Sequence, residues 1–186
     1  MTEVTGRRER KKAQTRKALA DAALELFLER GYEKVGVKEV ADAADVSVTT
    51  LFKYFPSKEA LVFDQDEDIE AGLVGAVHGR PPGCTVVDAL REHLLRVSKD
   101  APGDEFLHLI ESEPALRDYA RRMWMRHETA LARAIAEATG APEGDIACAA
   151  LARFALASRE LILADSHPRQ AAEEIFARLQ RGWGTE

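Results

Sequence analysis

The chain has 186 residues, 46% of them apolar and 31% charged, with a formal net charge of −6. That length suffices for a buried core in one or two small domains, and no run approaches the roughly 18 consecutive apolar residues of a membrane span. The charged amino terminus lacks the apolar centre of a secretion signal, so a cytoplasmic protein with no membrane partner is expected. Cys84 and Cys148 lack metal-like spacing, and both are expected to be reduced thiols without a metal.

In chain order, residues 1–14 form a basic segment without apolar periodicity, expected as a flexible arm. A first helix follows from near Gln14 to Gly31, a residue type that stops helices. Its inner stripe is Leu19, Ala22, Ala23, Leu26, Phe27 and Arg30. Val37, Val40, Ala41 and Ala44 then recur at the i, i+3, i+4, i+7 spacing of one helical face, and Val48, Leu51, Phe52 and Phe55 do so again after a tight turn. On the second of these short helices, Thr49, Thr50, Lys53 and Tyr54 share the opposite arc. Small hydroxyls followed by a cation and a phenol suit a duplex: the former approach base edges, the latter reach phosphates. Periodicity alone is equally compatible with an ordinary three-helix core and a solvated face.

The charge distribution bears on this choice. Residues 1–17 hold seven basic groups, Arg7, Arg8, Arg10, Lys11, Lys12, Arg16 and Lys17, against Glu3 and Glu9. Residues 1–61 hold 12 basic and 10 acidic groups, and the remainder holds 14 and 22, so the net charge runs from +2 to −8. Fields in salt act over about 10 Å, which makes the local excess matter more than the total. Arg7, Arg8, Lys11 and Lys12 are therefore candidates to lie along a nucleic-acid backbone or in its minor groove, although a solvated tail has the same composition.

Gly31-Tyr32, the spaced Val37, Val40, Ala41, Ala44, Val46 and Ser47, and the string Thr50-Leu51-Phe52 through Tyr54-Phe55-Pro56-Ser57-Lys58-Glu59-Ala60-Leu61 together resemble the amino-terminal domain of the TetR family of bacterial one-component transcriptional regulators. The resemblance runs without a gap from about Thr15 to Leu61. It implies an all-α protein of about nine helices: a three-helix helix-turn-helix domain over residues 15–61, followed by a larger ligand-binding and dimerisation bundle over residues 62–186. It also implies a homodimer on a palindromic double-stranded DNA operator, released by a small-molecule effector. Ser47, Thr49, Thr50, Lys53, Tyr54 and Lys58 would join the basic arm at the DNA. Lys58 is expected to hold phosphate at the start of a fourth helix, capped by Ser57 and running to about His78.

This chain departs from the family pattern in three places. Gly36 stands where a capping Thr is usual, Asp45 where the turn usually has Gly, and Phe52 where Tyr is usual. Gly is a tolerable cap, and Asp enters the left-handed region more readily than most residues.

Beyond the Arg80-Pro81-Pro82-Gly83 loop, helices are expected over Val86 to Lys99, Asp104 to Ser112, Pro114 to Thr139, Pro142 to about Asp165, and Pro168 to Gly182. Phe106, Leu109 and Ile110 are expected to face Tyr119, Met123, Trp124, His127 and Phe154 across an effector pocket, though such stripes also serve as plain core. The stretch Ile110 to Tyr119 is similar to a carboxyl-terminal type of actinobacterial TetR-like regulators, some associated with acyl-CoA-like ligands, which implies a lipophilic or acyl-type effector. The helix from Pro142 is apolar on most of its circumference. With Leu156, Leu163, Ile175, Phe176 and Leu179 it is the expected dimer interface, as the last two helices are in the family.

No enzyme signature is present. The five histidines are scattered, and neither HExxH, GxSxG nor a phosphate-cradling glycine loop occurs. No cofactor is called for. The alternative function is a DNA-binding regulator or nucleoid-type protein without small-molecule control.

Overall fold

In the computed structural model, which describes residues 3–97 and 103–181, every regular element is helical. The long helices are α1 (Glu3–Arg30), α2 (Val37–Ala43), α3 (Val48–Tyr54), α4 (Asp66–His78), α5 (Val86–Val97), α6 (Asp104–Ser112), α7 (Pro114–Thr139), α8 (Ile146–Ala164) and α9 (Pro168–Arg181), with short 3-10 turns at Tyr32–Lys34 and Glu59–Leu61. These residues form two compact units, one of residues 3–66 and 103–122, the other of residues 67–97 and 123–181. The expected division at residue 62 is therefore incomplete. The chain returns to the first unit through α6 and the start of α7, where Leu109 and Leu116 join its core.

Helix α1 is continuous from Glu3, so the stretch expected as a flexible arm is helical from that residue. Arg, Lys, Glu, Ala and Gln dominate it, and all are strong helix formers that need no apolar stripe to propagate an existing helix. Leu19, Ala20, Ala23 and Phe27 are buried along one face, and each large side chain removed from water contributes about 1.5–3 kcal/mol. Arg30, expected on that face, is exposed and pairs with Glu39 at 2.8 Å.

The departures from the family pattern are each accommodated locally. Gly36 has no hydroxyl, but the Glu39 carboxylate reaches back to accept from the Gly36 N–H at 2.9 Å, the second half of a capping box. That backbone bond, with Arg30 behind it, holds the Glu39 carboxyl below its ordinary range. Asp45 adopts φ 52°, the left-handed turn conformation that separates α2 from α3. Ser47 caps α3, its Oγ accepting from the Thr50 N–H at 3.1 Å.

The expected single fourth helix from Ser57 to His78 is broken. Ser57 does cap a turn, accepting from the Ala60 N–H at 3.3 Å, but this turn ends at Leu61 and α4 starts at Asp66. Ala60, Leu61 and Val62 are all buried in the first unit.

Two cations fix this turn against α1. Arg16 donates through its two terminal nitrogens to the Tyr54 carbonyl at 3.2 Å and the Asp64 carbonyl at 2.7 Å, and its guanidinium lies over the Phe55 ring at 4.7 Å. Lys58 donates to the Tyr32 carbonyl at 2.6 Å and sits over the Tyr32 ring at 4.0 Å. The Tyr32 hydroxyl in turn donates to Glu59 at 3.0 Å. Burial and then the Glu59 carboxylate hold the Tyr32 phenol well above its ordinary 10.0. Burial pushes Glu59 up, but hydrogen bonds from Ser57, its own backbone N–H and Tyr32, with the Lys58 charge, outweigh it and hold the carboxyl below 4.5.

The second unit is built from α4, α5, most of α7, α8 and α9 around Leu73, Val77, Leu90, Leu94, Leu131, Ile135, Ala152, Ile162 and Phe176. Asp145 caps α8 by accepting from the Cys148 N–H at 2.9 Å, so that helix starts at Ile146 instead of Pro142. Cys148 is buried and Cys84 half-buried, both as free thiols. The expected helix ends at Lys99 and Gly182 lie outside the described residues.

Asp45→Gly removes the left-handed penalty of a side chain and is expected to raise stability by about 1 kcal/mol in urea unfolding. Because the folded Glu59 carboxyl is depressed, its contribution is complete above its unfolded value of 4.5 and is lost as pH falls through the folded value. Glu59→Gln should therefore cost about 1 kcal/mol at neutral pH and flatten the acid limb of a stability-against-pH curve relative to the parent chain.

Candidate DNA-binding site

Helix α3 offers the first unit's most distinctive surface. Leu51 and Phe55 are buried beneath it, Val48 and Tyr54 pack partly into the same core, and Thr49, Phe52 and Lys53 are exposed. Phe52 and Tyr54 exchange the roles expected of them. Around the helix they flank the buried centre at nearly equal angles, so periodicity does not separate them. Arg16 draws the carboxyl-terminal end of α3 toward α1 on the Tyr54 side, and Phe52 is left 48% exposed. An aromatic ring exposed in this position beside Thr49 and Lys53 is an apolar surface for thymine methyls or sugars, alongside a hydroxyl and a cation.

The remaining candidates divide into those that face outward and those that hold the scaffold. Ser47 and Thr50 share a hydroxyl contact of 2.9 Å at the α3 cap. Ser47 remains exposed and Thr50 is half-buried. Lys58, expected at phosphate, instead turns its ammonium into the unit toward Tyr32. That geometry makes it a positioning residue for the turn after α3. Arg7, Arg8, Lys11 and Lys12 are all exposed on α1. On a helix, the Arg7/Lys11 and Arg8/Lys12 pairs are i, i+4 neighbours, so the four charges form one broad basic face.

The expected effector residues are divided between the two units. Phe106, Leu109, Ile110 and Tyr119 belong to the core of the first unit, where Tyr119 stacks on Phe63 with centroids 5.1 Å apart. Met123, Trp124, His127 and Phe154 belong to the second unit. There His127 is fully buried edge-on to Trp124 at 5.1 Å, and the Arg159 guanidinium lies over the Trp124 ring at 5.1 Å. Phe154 is 53% exposed on α8.

Of the expected interface residues, Phe176 is placed in the core of its own chain, completely buried in the second unit. Leu156, Ile175 and Leu179 pack partly against that core, and Leu163 is half-buried. The exposed apolar face of α8 is instead Ile146, Phe154 and Leu161, at 83%, 53% and 64% exposure. Spacings of eight and seven residues keep these three within one arc of the helix. The stripe is hidden in the sequence because α8 is apolar on nearly every side, so its pattern does not say which face is covered.

Among the described residues no helix is long and apolar enough to cross a membrane, and no group of three or more His, Cys, Asp or Glu is placed to hold a metal.

Comparison with known proteins agrees with these features. Residues 19–64 match the bacterial regulatory proteins of the tetR family, and residues 84–180 match the MftR C-terminal domain. The chain is 33% identical to the HTH-type transcriptional regulator TcmR of Streptomyces glaucescens over 147 residues, 73% of this chain and 65% of TcmR, so it spans slightly less than two-thirds of that relative. It is 28% identical to MftR of Mycobacterium tuberculosis over 141 residues, 73% of this chain and 71% of MftR. Among solved structures, it is similar to the TetR-family repressor FadR of Thermus thermophilus in complex with lauroyl-CoA, with a TM-score of 0.54 and 26% identity over 92% of this chain and 96% of FadR. These relatives are transcriptional regulators, not enzymes. With the helix-turn-helix and the carboxyl-terminal half both matched, the chain belongs to the TetR family of bacterial regulatory proteins.

Proposed function

We propose that this protein is a ligand-responsive repressor of transcription that binds a palindromic operator as a homodimer and is released by a small lipophilic or acyl-type effector. The observation that carries the DNA reading is the outward face of α3, where Thr49, Phe52 and Lys53 stand exposed on a helix held rigidly from beneath. Thr49 and Phe52 meet base edges and thymine methyls, Lys53 meets phosphate, and Ser47 and Thr50 line the entry of the helix into the major groove. The basic face of Arg7, Arg8, Lys11 and Lys12 adds backbone contacts that raise affinity without reading sequence.

A twofold assembly through α8 and α9 places two such helices about one DNA turn apart, roughly 34–36 Å. The exposed stripe of Ile146, Phe154 and Leu161 supports α8 as the contact surface, since a row of three large apolar side chains is covered more cheaply by its own twofold mate than by water. The acyl-type effector is supported by the likeness to FadR, which was solved with lauroyl-CoA.

Release acts through the segment that leaves the turn at Leu61 and enters α4 at Asp66. Arg16 holds the Asp64 carbonyl of that segment and the Tyr54 carbonyl at the end of α3 with one guanidinium. A displacement of the segment is thereby felt at the reading helix. For an effector to weaken DNA binding 100-fold it must favour the released conformation by about 2.7 kcal/mol.

The test is fluorescence anisotropy against the DNA upstream of the protein's own coding sequence and against random duplex, across a salt series. Specific binding to the former is expected, and equal affinity for both would replace this reading with a nucleoid-type protein. Lys53→Ala should lower the salt slope by about 0.9 for each phosphate that the lysine neutralises. Lys58→Ala should leave the slope unchanged and instead cost about 1–2 kcal/mol of stability. In sedimentation, Phe154→Glu with Leu161→Glu should convert dimers to monomers while helicity is retained, because both positions are exposed within one chain.

A further inference from the structure

The second unit contains a cavity of about 490 Å³ walled by two helical stripes of identical spacing. Gly72, Gly75, Ala76 and Gly79 form the α4 wall, and Ala89, Glu92, His93 and Arg96 the α5 wall. This volume lies in the range of small-molecule sites, about 300–1,000 Å³. The α4 wall carries one methyl, at Ala76, and His93 covers Gly72, but a Cβ placed at Gly75 meets nothing within 4 Å, so that position opens onto the cavity. Such a surface presents a flat face against which a ring can lie, and it has no long side chain to grip a flexible tail.

The polar groups point to what the ring carries. His93 is 7% exposed, its imidazole edge lies 3.1 Å from where a Gly72 Cβ would stand, and it lines the cavity. Among the described residues neither of its ring nitrogens is hydrogen-bonded. The side chain is buried but its ring nitrogens are not sealed from the groove, so they are open to a hydrogen bond from whatever occupies it. Burial, followed by the neighbouring Arg96 charge, lowers its pKa below 6.5, which leaves a neutral ring with one donor and one acceptor at neutral pH.

The charges at the rim are unequally committed. Arg80 donates to the Val77 carbonyl at 2.8 Å and the Ala138 carbonyl at 3.0 Å, while Glu92 is paired with Arg91 at 3.3 Å. Arg96 is exposed and forms no ion pair among the described residues. Among the described residues Arg96 is thus the rim cation whose donors are uncommitted, and a guanidinium best matches a carboxylate, by a two-point contact.

We propose that the α4–α5 groove is a binding site for a compact planar aromatic carboxylate, its ring against Gly75, Ala76 and Gly79, its carboxylate on Arg96 and a ring or carboxylate atom hydrogen-bonded to His93. This site is distinct from the Trp124, His127 and Phe154 region considered for a lipophilic effector.

The test uses the full chain without DNA, so it stands or falls separately from the operator reading. Calorimetric titration with 2-naphthoate, its neutral analogue 2-naphthamide and the flexible acid decanoate gives the ligand preference, and the imidazole resonances of His93 report the location. Saturable binding of 2-naphthoate, with a shift of those resonances and about tenfold weaker binding of both other probes, is expected. Arg96→Gln should erase the preference for the acid over the amide. Gly75→Phe should abolish binding while the thermal midpoint is held or raised, since the new side chain enters open space on a helix that gains by losing glycine. Absence of saturable naphthoate binding to the parent chain would overturn the site. Equal binding of decanoate would overturn the planar preference, and undiminished binding to a folded Gly75→Phe variant would overturn the location.

Discussion

The arrangement of the first unit depends on one guanidinium. Arg16 rises from α1 between the end of α3 and the segment that leaves the unit, and it donates to a carbonyl of each, Tyr54 and Asp64. Charged donors to backbone carbonyls are roughly twice as strong as neutral ones. Here they also satisfy an acceptor at the end of a helix only seven residues long. A helix so short has little stability of its own. Its orientation comes from Leu51 and Phe55 beneath it and from Arg16 at its end. Lys58 repeats the device one turn later with the Tyr32 carbonyl and ring.

This explains why basic residues in one domain have different physical roles. Arg16 and Lys58 are directed inward and are engaged with carbonyls and aromatic rings. Arg7, Arg8, Lys11, Lys12 and Lys53 are directed outward, and their charges remain available to a polyanion. A count of cations does not distinguish the two sets. The distinction lies in whether an orphan carbonyl and an aromatic face occur within reach, which only the folded chain decides.

Much of the first unit is legible in the amino-acid order because its punctuation is local. Gly31 ends α1, Asp45 takes the left-handed turn and Ser47 caps α3, and each acts within three or four residues of itself. Errors arise where the deciding contact is distant. The cap at Ser57 is real, yet the turn it begins ends at Leu61, and Arg16 of α1 takes the Asp64 carbonyl in the gap before α4. Phe52 and Tyr54 are equivalent by angle and are separated by the pull of Arg16. Phe106 and Tyr119 follow the second domain's first helices in sequence but return to the first core, for which no local pattern gives a sign. The stripe Gly72, Gly75, Ala76 and Gly79 has a helical spacing that the sequence displays, but glycine carries no apolar signal, so a search for hydrophobic faces passes over it.

The proposed regulation requires the outer face of α3 to enter a duplex groove twice per assembly. Hydroxyl-radical footprinting on a tightly bound duplex measures this directly, because it maps backbone protection nucleotide by nucleotide. Two protected patches on each strand are predicted, related by a dyad and separated by about one helical turn, roughly 10–10.5 base pairs, or a little more. A single patch, or even protection along the whole duplex, would be incompatible with that geometry.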